Sequence, residues 1–391
     1  MDIILTMGII LTSGYFFGLI AERLSFPRVS AYLLAGILFS EPLLGHIVDL
    51  KLHLWAEPFS NICLGFIAYI IGGEINLKTL KKKSKTILTG TLFESLTPVF
   101  LVFTSIYILC YHFELSTNIA LILASICATT APATTFAIIE QYKAKGELTD
   151  TTLGVVVLDD AFGIIIFIAI SSVFFPNGID NGFITLFKEL FLSITIGVCG
   201  GFLLSKFSKL SISNDFLFPL LVGLVLIIVS LAKSFHFSAL LALIILGLVA
   251  NNTNIKEHKR ASLILPIQHI EEFIFITFFV FAGSHFSPTH FSDAIIFILT
   301  YAFFRALGKY IGAFVGLTLS PPDNIKTKYY LGFALLPQAG VAIGLLFQAI
   351  NNPHFNDIKD LLLNIILGST IIYELIGPFS AKFAFKKAKE I

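Results

Sequence analysis

The sequence predicts an all-α polytopic membrane protein of about thirteen transmembrane helices, built as inverted six-helix repeats with two broken, crossing helices. Three observations predict it. Of the 391 residues, 56% are hydrophobic and 13% charged, and the mean hydropathy of +0.89 is too high for a chain whose solvent is water. Apolar runs of the roughly 20 residues that a bilayer core demands recur from one end to the other. Two of these runs, seven apart in order, carry proline and small polar residues at matching depth.

The limits of each span follow from the charges, prolines and asparagines between the runs. Span 1 (3–21) ends at Glu22 and Arg23, without the basic start or cleavage site of a signal peptide. Span 2 (29–48) follows Pro27 and Arg28, and span 3 (58–75) opens at Pro58 and stops before Lys78. Span 4 (86–111) lies between Lys85 and His112, span 5 (117–139) between Glu114 and Glu140, and span 6 (150–175) between Glu147 and Pro176. Span 7 (184–206) links the halves. Span 8 (216–234) follows Asp215, and the short span 9 (237–250) ends at Asn251. Span 10 (263–284) begins beyond the Lys256 to Arg260 cluster, and span 11 (291–318) runs between Pro288 and Pro321. Span 12 (328–350) stops at Asn351, and span 13 (360–384) stops before Lys386. The first repeat is therefore 1–183, the linking span 184–212 and the second repeat 213–391.

Charge segregation supports this count. With alternate loops taken as one side, 20 of the 26 Lys and Arg residues fall there, among them Arg23, Arg28, Lys81, Lys82, Lys83 and Lys386. Only Lys51, Lys188, Lys233 and Lys359 lie opposite, and Arg305 and Lys309 lie within a span. The positive-inside rule then puts the C-terminus in the cytoplasm and the N-terminus outside. Cys63, Cys110, Cys127 and Cys199 stand singly in apolar stretches, so they are expected to pack rather than to bridge or bind metal.

Ionisable groups in mid-span cost several kcal/mol in lipid by most estimates, so they face the protein interior and mark a pathway. Asp159 and Asp160, in TTLGVVVLDDAFGIIIF, lie near mid-depth of span 6. Neighbouring helical residues point about 100° apart, so one is expected to face an ion path and the other a protein partner. Two adjacent carboxylates also repel when both are ionised, which suits a site alternating between a proton and a metal cation. Arg305, with Lys309 one turn on in YAFFRALGKYIGAFVG, reaches the same level in span 11, and Asp159 is its expected partner. Glu94 in span 4 and Glu374 in span 13 are expected to support the core by pairing with Lys309 or with threonine hydroxyls.

The interruptions are ATTAPATT, with Thr129, Thr130 and Pro132, and LLPQAGVAIG, with Pro337, Gln338 and Gly340. Proline removes a backbone hydrogen bond, so carbonyls near Thr129 and Thr130 are expected to be free for a cation. Spans seven apart cross in opposite directions. That is the inverted arrangement by which secondary transporters place broken helices and the substrate site at the midplane.

Over nearly its whole length the sequence resembles the bacterial sodium/proton and potassium-efflux antiporters of the monovalent cation/proton antiporter superfamily. The specific stretch is ATTAPATTFAIIEQYKAKGELTDTTLGVVVLDDAFGI, supported by LLAGILFSEPLLG, IIGGEINLKTLKK, FFRALGKYIGA and FALLPQAGVAIGL. The resemblance implies a homodimer in which a core domain of spans 4–6 and 11–13 moves against a dimerisation domain made of the remainder. It also implies that Asp160 is the cation- and proton-binding carboxylate, that Asp159 fills a position held by Asp or Asn in relatives, and that Arg305 is the basic residue of the core. Two departures stand out: Ala131 where relatives of the eukaryotic-exchanger type often carry Asp in the broken fifth helix, and Val156 where they often carry Ser. The nucleotide-binding domain of many potassium-efflux relatives is not expected.

The expected function is exchange of a monovalent cation, Na+ foremost with K+ or Li+ as alternatives, for H+ across a bacterial inner membrane by alternating access, in the service of pH homeostasis. Asp160 would bind either ion with help from Asp159, Thr129 and Thr130. Locking of Asp159 to Arg305, which keeps its proton, would make exchange electroneutral. The alternative is a sodium-coupled symporter of an organic solute on a similar inverted repeat. An intramembrane aspartyl protease needs two aspartates from different helices, and these are adjacent. Lipid, H+ and the transported cation are the expected partners, with no cofactor, no enzymatic activity and no nucleic acid.

Overall fold

In the computed structural model, residues 3–23, 28–40, 43–44, 56–74, 84–131, 134–135, 138–139, 142–175, 182–210, 217–253, 257–284, 291–338 and 340–391 are described. Pro132 and the basic run Lys81 to Lys83 lie outside them. Among the described residues the regular elements are helical: α1 (Ile3–Arg23), α2 (Arg28–Leu38), α3 (Ala56–Glu74), α4 (Ser84–His112), α5 (Asn118–Ile126), α6 (Glu147–Phe174) and α7 (Gly182–Leu210). They continue as α8 (Leu217–Phe235), α9 (Ala239–Thr253), α10 (Glu257–Ser284), α11 (Phe291–Leu319), α12 (Ile325–Ala334), α13 (Gly340–Ile350) and α14 (Lys359–Ala388), with a 3-10 turn at Pro353–Ile358. Seven of these helices are long and apolar enough to cross a membrane. The fourteen helices are consistent with about thirteen spans, because α12 and α13 are the two halves of the broken twelfth and α5 is the first half of the broken fifth.

The chain divides into two compact units. The first comprises Met1–Leu11, Leu50–Lys78 and Ser171–Phe278. Within it α9, at 15 residues only about 22 Å long, is buried on most faces by α3 and α7. Small residues permit this. A side chain at Gly72 would run into the Ile244 carbonyl, one at Gly247 into the Tyr69 carbonyl, and one at Gly197 into the Ala242 carbonyl. The Asn251 amide donates to the Gly73 carbonyl. Cys63 is buried here, but Cys199 is exposed on α7, a correction to the expected packing role. An apolar thiol loses little by facing lipid.

The second unit comprises Thr12–Asp49, Thr79–Ile170 and Phe279–Ile391. Its longest packing seam joins α4 to α11, each 29 residues. On α11, Gly308, Gly312 and Gly316 recur every four residues and therefore share one face. A side chain at each would collide with Pro98, with the Phe93 carbonyl and with the Thr89 carbonyl of α4 respectively. Close approach of backbones is the usual basis of helix association in lipid, where burial of apolar surface gives no advantage. The seam brings Lys309 of α11 beside Glu94 of α4. Below it, Leu148 and Val155 of α6, Leu331 and Ala334 of α12, and Ala381, Ala384, Phe385 and Ala388 of α14 form one apolar cluster.

Candidate functional site

The two interruptions meet. Helix α5 ends at Ile126 and the chain is unwound at Thr129–Ala131; α12 ends at Ala334 and the chain is unwound at Leu336–Gln338. The Ala131 N–H donates to the Pro337 carbonyl at 2.9 Å, so the two unwound stretches cross at these residues. A helix leaves its last four carbonyls without internal donors, and its C-terminal end carries partial negative charge. Two such ends converge here, buried from solvent.

The threonines of ATTAPATT supply part of the answer. Thr135 Oγ1 donates to the Ala334 carbonyl at 3.2 Å, and Thr130, whose single hydroxyl proton goes to Asp159, packs with its Oγ1 3.3 Å from the Leu335 carbonyl. Arg305 supplies the rest. Its Nε donates to the Cys127 carbonyl at 2.9 Å, Nη2 to that of Thr129 at 2.6 Å, Nη1 to that of Leu336 at 2.8 Å, and Nη2 reaches the Pro337 carbonyl at 3.5 Å. The guanidinium lies 4.4 Å from the centre of the Tyr373 ring, and the Tyr373 hydroxyl donates to the Ala302 carbonyl. Arg305 thus stitches both half-helix ends together.

One turn along α11, Lys309 performs the task expected of Arg305. Its Nζ is 2.8 Å from Asp159 Oδ2 and 2.7 Å from Glu94 Oε2. It also donates to the Ala128 carbonyl and lies 3.0 Å from Thr130 Oγ1. Asp159 is held further by Ser95 Oγ, which donates to Oδ1 at 2.9 Å, and by the Thr130 hydroxyl, which donates to Oδ2. Ser95 Oγ is 3.3 Å from Glu94 Oε1. Glu94, Asp159, Asp160, Arg305 and Lys309 are all fully buried.

Asp160 follows Asp159 on α6, where neighbouring residues point about 100° apart. It shares a helix face with Gly163, three residues on, and a side chain at Gly163 would meet Thr129 of the unwound stretch. The face that carries Asp160 therefore packs on Thr129.

Several expectations are corrected. Arg305 contacts carbonyls and not Asp159, because its planar fork of donors suits several acceptors whereas a compact ammonium suits convergent carboxylates. The Thr129 carbonyl, expected to be free for a cation, is taken by Arg305, and the Thr130 hydroxyl is engaged by Asp159. Of the remaining candidates, Glu374 accepts from Thr134 Oγ1 at 3.1 and 3.2 Å. Gln338 Nε2 donates to the Tyr301 hydroxyl at 2.8 Å, and Gly340 opens α13. Pro337 packs against Gly377 of α14. Sequence reasoning missed Ser95, whose signal was only its place beside Glu94, and Tyr373, beside Glu374. It also missed Glu189, half-buried in the first unit, which accepts from Ser172 Oγ at 2.8 Å.

Comparison with known proteins agrees with this architecture. The family model described as sodium/hydrogen exchanger, transmembrane, matches residues 8–387. A Na(+)/H(+) antiporter from Enterococcus hirae is 24% identical over 378 residues, which cover 93% of this chain and 94% of that protein. A "Probable Na(+)/H(+) antiporter 2" from Methanocaldococcus jannaschii is 23% identical over 357 residues, covering 85% of this chain and 81% of the relative. The solved structure of a sodium proton antiporter from Methanocaldococcus jannaschii superposes with a TM-score of 0.77 at 20% identity, covering 98% of both chains. These relatives are named as transporters rather than enzymes.

Proposed function

We infer that this chain, which belongs to the sodium/hydrogen exchanger family, exchanges Na+ for H+ across a bacterial inner membrane by alternating access, with Asp160 as the carboxylate the two ions share. The observation that carries this reading is the division of labour between the adjacent aspartates. Asp159 is held by Lys309, Ser95 and Thr130, whereas Asp160 lies on the helix face whose Gly163 packs on Thr129. A buried carboxylate beside a backbone freed from helix is suited to accept either a proton or a desolvated cation, and competition for it couples the two fluxes.

Charge exchange is shaped by the partner that Asp159 has. A guanidinium keeps its proton, but an ammonium can release one when a cation draws its carboxylate away. With Lys309 as the partner, the ground for expecting electroneutral exchange disappears. Ala131 and Val156 offer no side-chain oxygen to the ion, so backbone carbonyls and Asp159 would have to complete its shell, and Li+ or K+ could replace Na+ accordingly. The unit holding this site would be the moving core, and a second copy of the chain would supply a homodimer. The N-terminus would lie outside and the C-terminus in the cytoplasm.

The test uses purified protein in liposomes under an imposed pH gradient, with Na+, Li+, K+ or choline added in turn to wild type and Asp160→Asn. Cation-specific dissipation that vanishes in the variant supports the reading. Full exchange by Asp160→Asn refutes the shared carboxylate, and a requirement for an organic solute refutes antiport in favour of symport.

A further inference from the structure

The aspartate-bearing helix is held at its N-terminus by a residue from far along the chain. Glu390 Oε1 accepts the Leu148 N–H at 2.8 Å, and Oε2 accepts the Thr149 N–H at 2.8 Å and the Thr149 hydroxyl at 2.7 Å. The backbone around Glu390 is tied on both sides: its carbonyl accepts the Lys145 N–H at 3.1 Å and its N–H donates to the Phe385 carbonyl at 3.0 Å. Gly146 leaves the necessary room, since any side chain there would run into the Glu390 carboxylate. Glu147, the first residue of α6, repeats the arrangement on the next helix. Its carboxylate accepts the N–H groups of Asp323 and Asn324, which open α12. Two carboxylates thus link α14 to α6 and α6 to α12 in series, each on the partly positive end of a helix with unpaired N–H groups.

We propose that Glu390 is a positioning residue for the exchange reaction: by fixing the N-terminus of α6 it sets the height of Asp159 and Asp160 against the crossing. The proposal rests on the exchange reading given above. Helix α6 runs without interruption from Glu147 through Asp160, so the clamp acts along a stiff rod of about 18 Å. The interface that α14 presents to it cannot supply the same restraint. Ala381, Ala384, Phe385 and Ala388 of α14 share one apolar cluster with Leu148 and Val155 of α6, and apolar contact of this kind fixes the distance between helices better than their axial offset. The contacts of Asp159 with Ser95 at 2.9 Å and Lys309 at 2.8 Å demand an offset held to a fraction of an ångström.

The test compares wild type with Glu390→Ala, Glu390→Gln and Thr149→Val, as purified protein for amide hydrogen exchange and in liposomes for Na+-driven proton movement. Losing a cap leaves the site correctly placed for only part of the time, which raises apparent KM in inverse proportion to the competent fraction. For Glu390→Ala the expected rise is about five- to tenfold, with maximal rate changed less than about twofold. Exchange at the Leu148 and Thr149 amides accelerates. Glu390→Gln, which keeps one carbonyl oxygen, falls between the two. Thr149→Val gives a smaller rise that is not additive with Glu390→Ala, because the bond it removes is already gone.

A merely structural role would lower yield or melting temperature and leave the KM of folded protein unchanged. Unchanged KM in Glu390→Ala overturns the proposal, whether or not the amides exchange faster. Should that variant fail to fold, unchanged KM in both Glu390→Gln and Thr149→Val overturns it instead. A wild-type protein that moves no protons in response to Na+ refutes the exchange reading itself. The clamp is then decided by amide exchange alone, and unchanged amides in Glu390→Ala refute it.

Discussion

Replacing Arg305 by lysine keeps the charge and should nevertheless damage the protein almost as much as removing the side chain. Three carbonyls lie within 2.9 Å of the guanidinium, those of Cys127 and Thr129 just after α5 and that of Leu336 in the unwound stretch after α12. A lysine ammonium is a single point and cannot serve both ends, so about two buried carbonyls lose their donor, at about 1–3 kcal/mol each. Loss of the guanidinium from the Tyr373 ring adds about 1 kcal/mol. The expected destabilisation of Arg305→Lys is therefore about 3–7 kcal/mol, a large part of the roughly 5–15 kcal/mol that holds a typical protein folded. Thermal unfolding of the detergent-purified variants measures it, with Na+-driven proton movement in liposomes as the functional readout. If Arg305 acted as a counter-ion to a carboxylate, lysine would be nearly neutral and alanine severe. A lysine variant with wild-type melting and wild-type exchange would refute the argument from carbonyls.

Three further outcomes follow from the same geometry. Lys309→Met strands Glu94 and Asp159 without their shared cation and should cost about 3–5 kcal/mol by thermal unfolding, with Asp159→Asn in the same chain restoring part of it by removing one of the two charges. Gly312→Val drives a side chain into the Phe93 carbonyl, parting α11 from α4 and Lys309 from Glu94. Exchange activity should fall by more than tenfold, by analogy with the roughly hundredfold cost of 1 Å misplacements, and liposome assays read it. Tyr373→Phe keeps the ring against Arg305 and loses the hydroxyl bond to the Ala302 carbonyl, so its melting should fall by about 1 kcal/mol and its exchange should change far less than in Arg305→Lys.

The fold was legible because lipid imposes a crude rule: runs of apolar residues bounded by charge read directly as spans. Crossing of the interruptions was legible too, since ATTAPATT and LLPQAGVAIG fall seven spans apart. Pairing inside the core was not. Arg305 and Lys309 stand one turn apart on the same face, and nothing in the sequence says which lies level with Asp159 and which with the carbonyls. That depends on the axial offset of α11 against α4, set by Gly308, Gly312 and Gly316 meeting Pro98, Phe93 and Thr89. The role of Glu390 was hidden for the opposite reason. It sits among lysines at the end of an amphipathic stretch, where an acidic residue reads as solvated, and its partner N–H groups lie more than two hundred positions away.

The core also contains more acid than base. Its four acidic side chains, Glu94, Asp159, Asp160 and Glu374, outnumber the two basic ones, Arg305 and Lys309, by two among the described residues, all without solvent exposure. Arg305 is committed to carbonyls and Lys309 lies between Glu94 and Asp159. A buried ion without a compensating charge costs several kcal/mol. On the proposed exchange reading, a core this rich in acid would favour states in which Asp160 holds a proton or Na+ over the state in which it holds neither. On that reading passage between access states would depend on occupancy, which is what coupling requires. It also predicts a measurement independent of transport. Na+ at 100 times its dissociation constant should stabilise the wild type by about 2.7 kcal/mol through mass action, seen as a rise in melting temperature that choline does not give. Asp160→Asn, relieved of the charge permanently, should melt no lower than the wild type without Na+ and should show no rise with it. Equal stabilisation of both proteins by Na+ would place the cation somewhere other than Asp160.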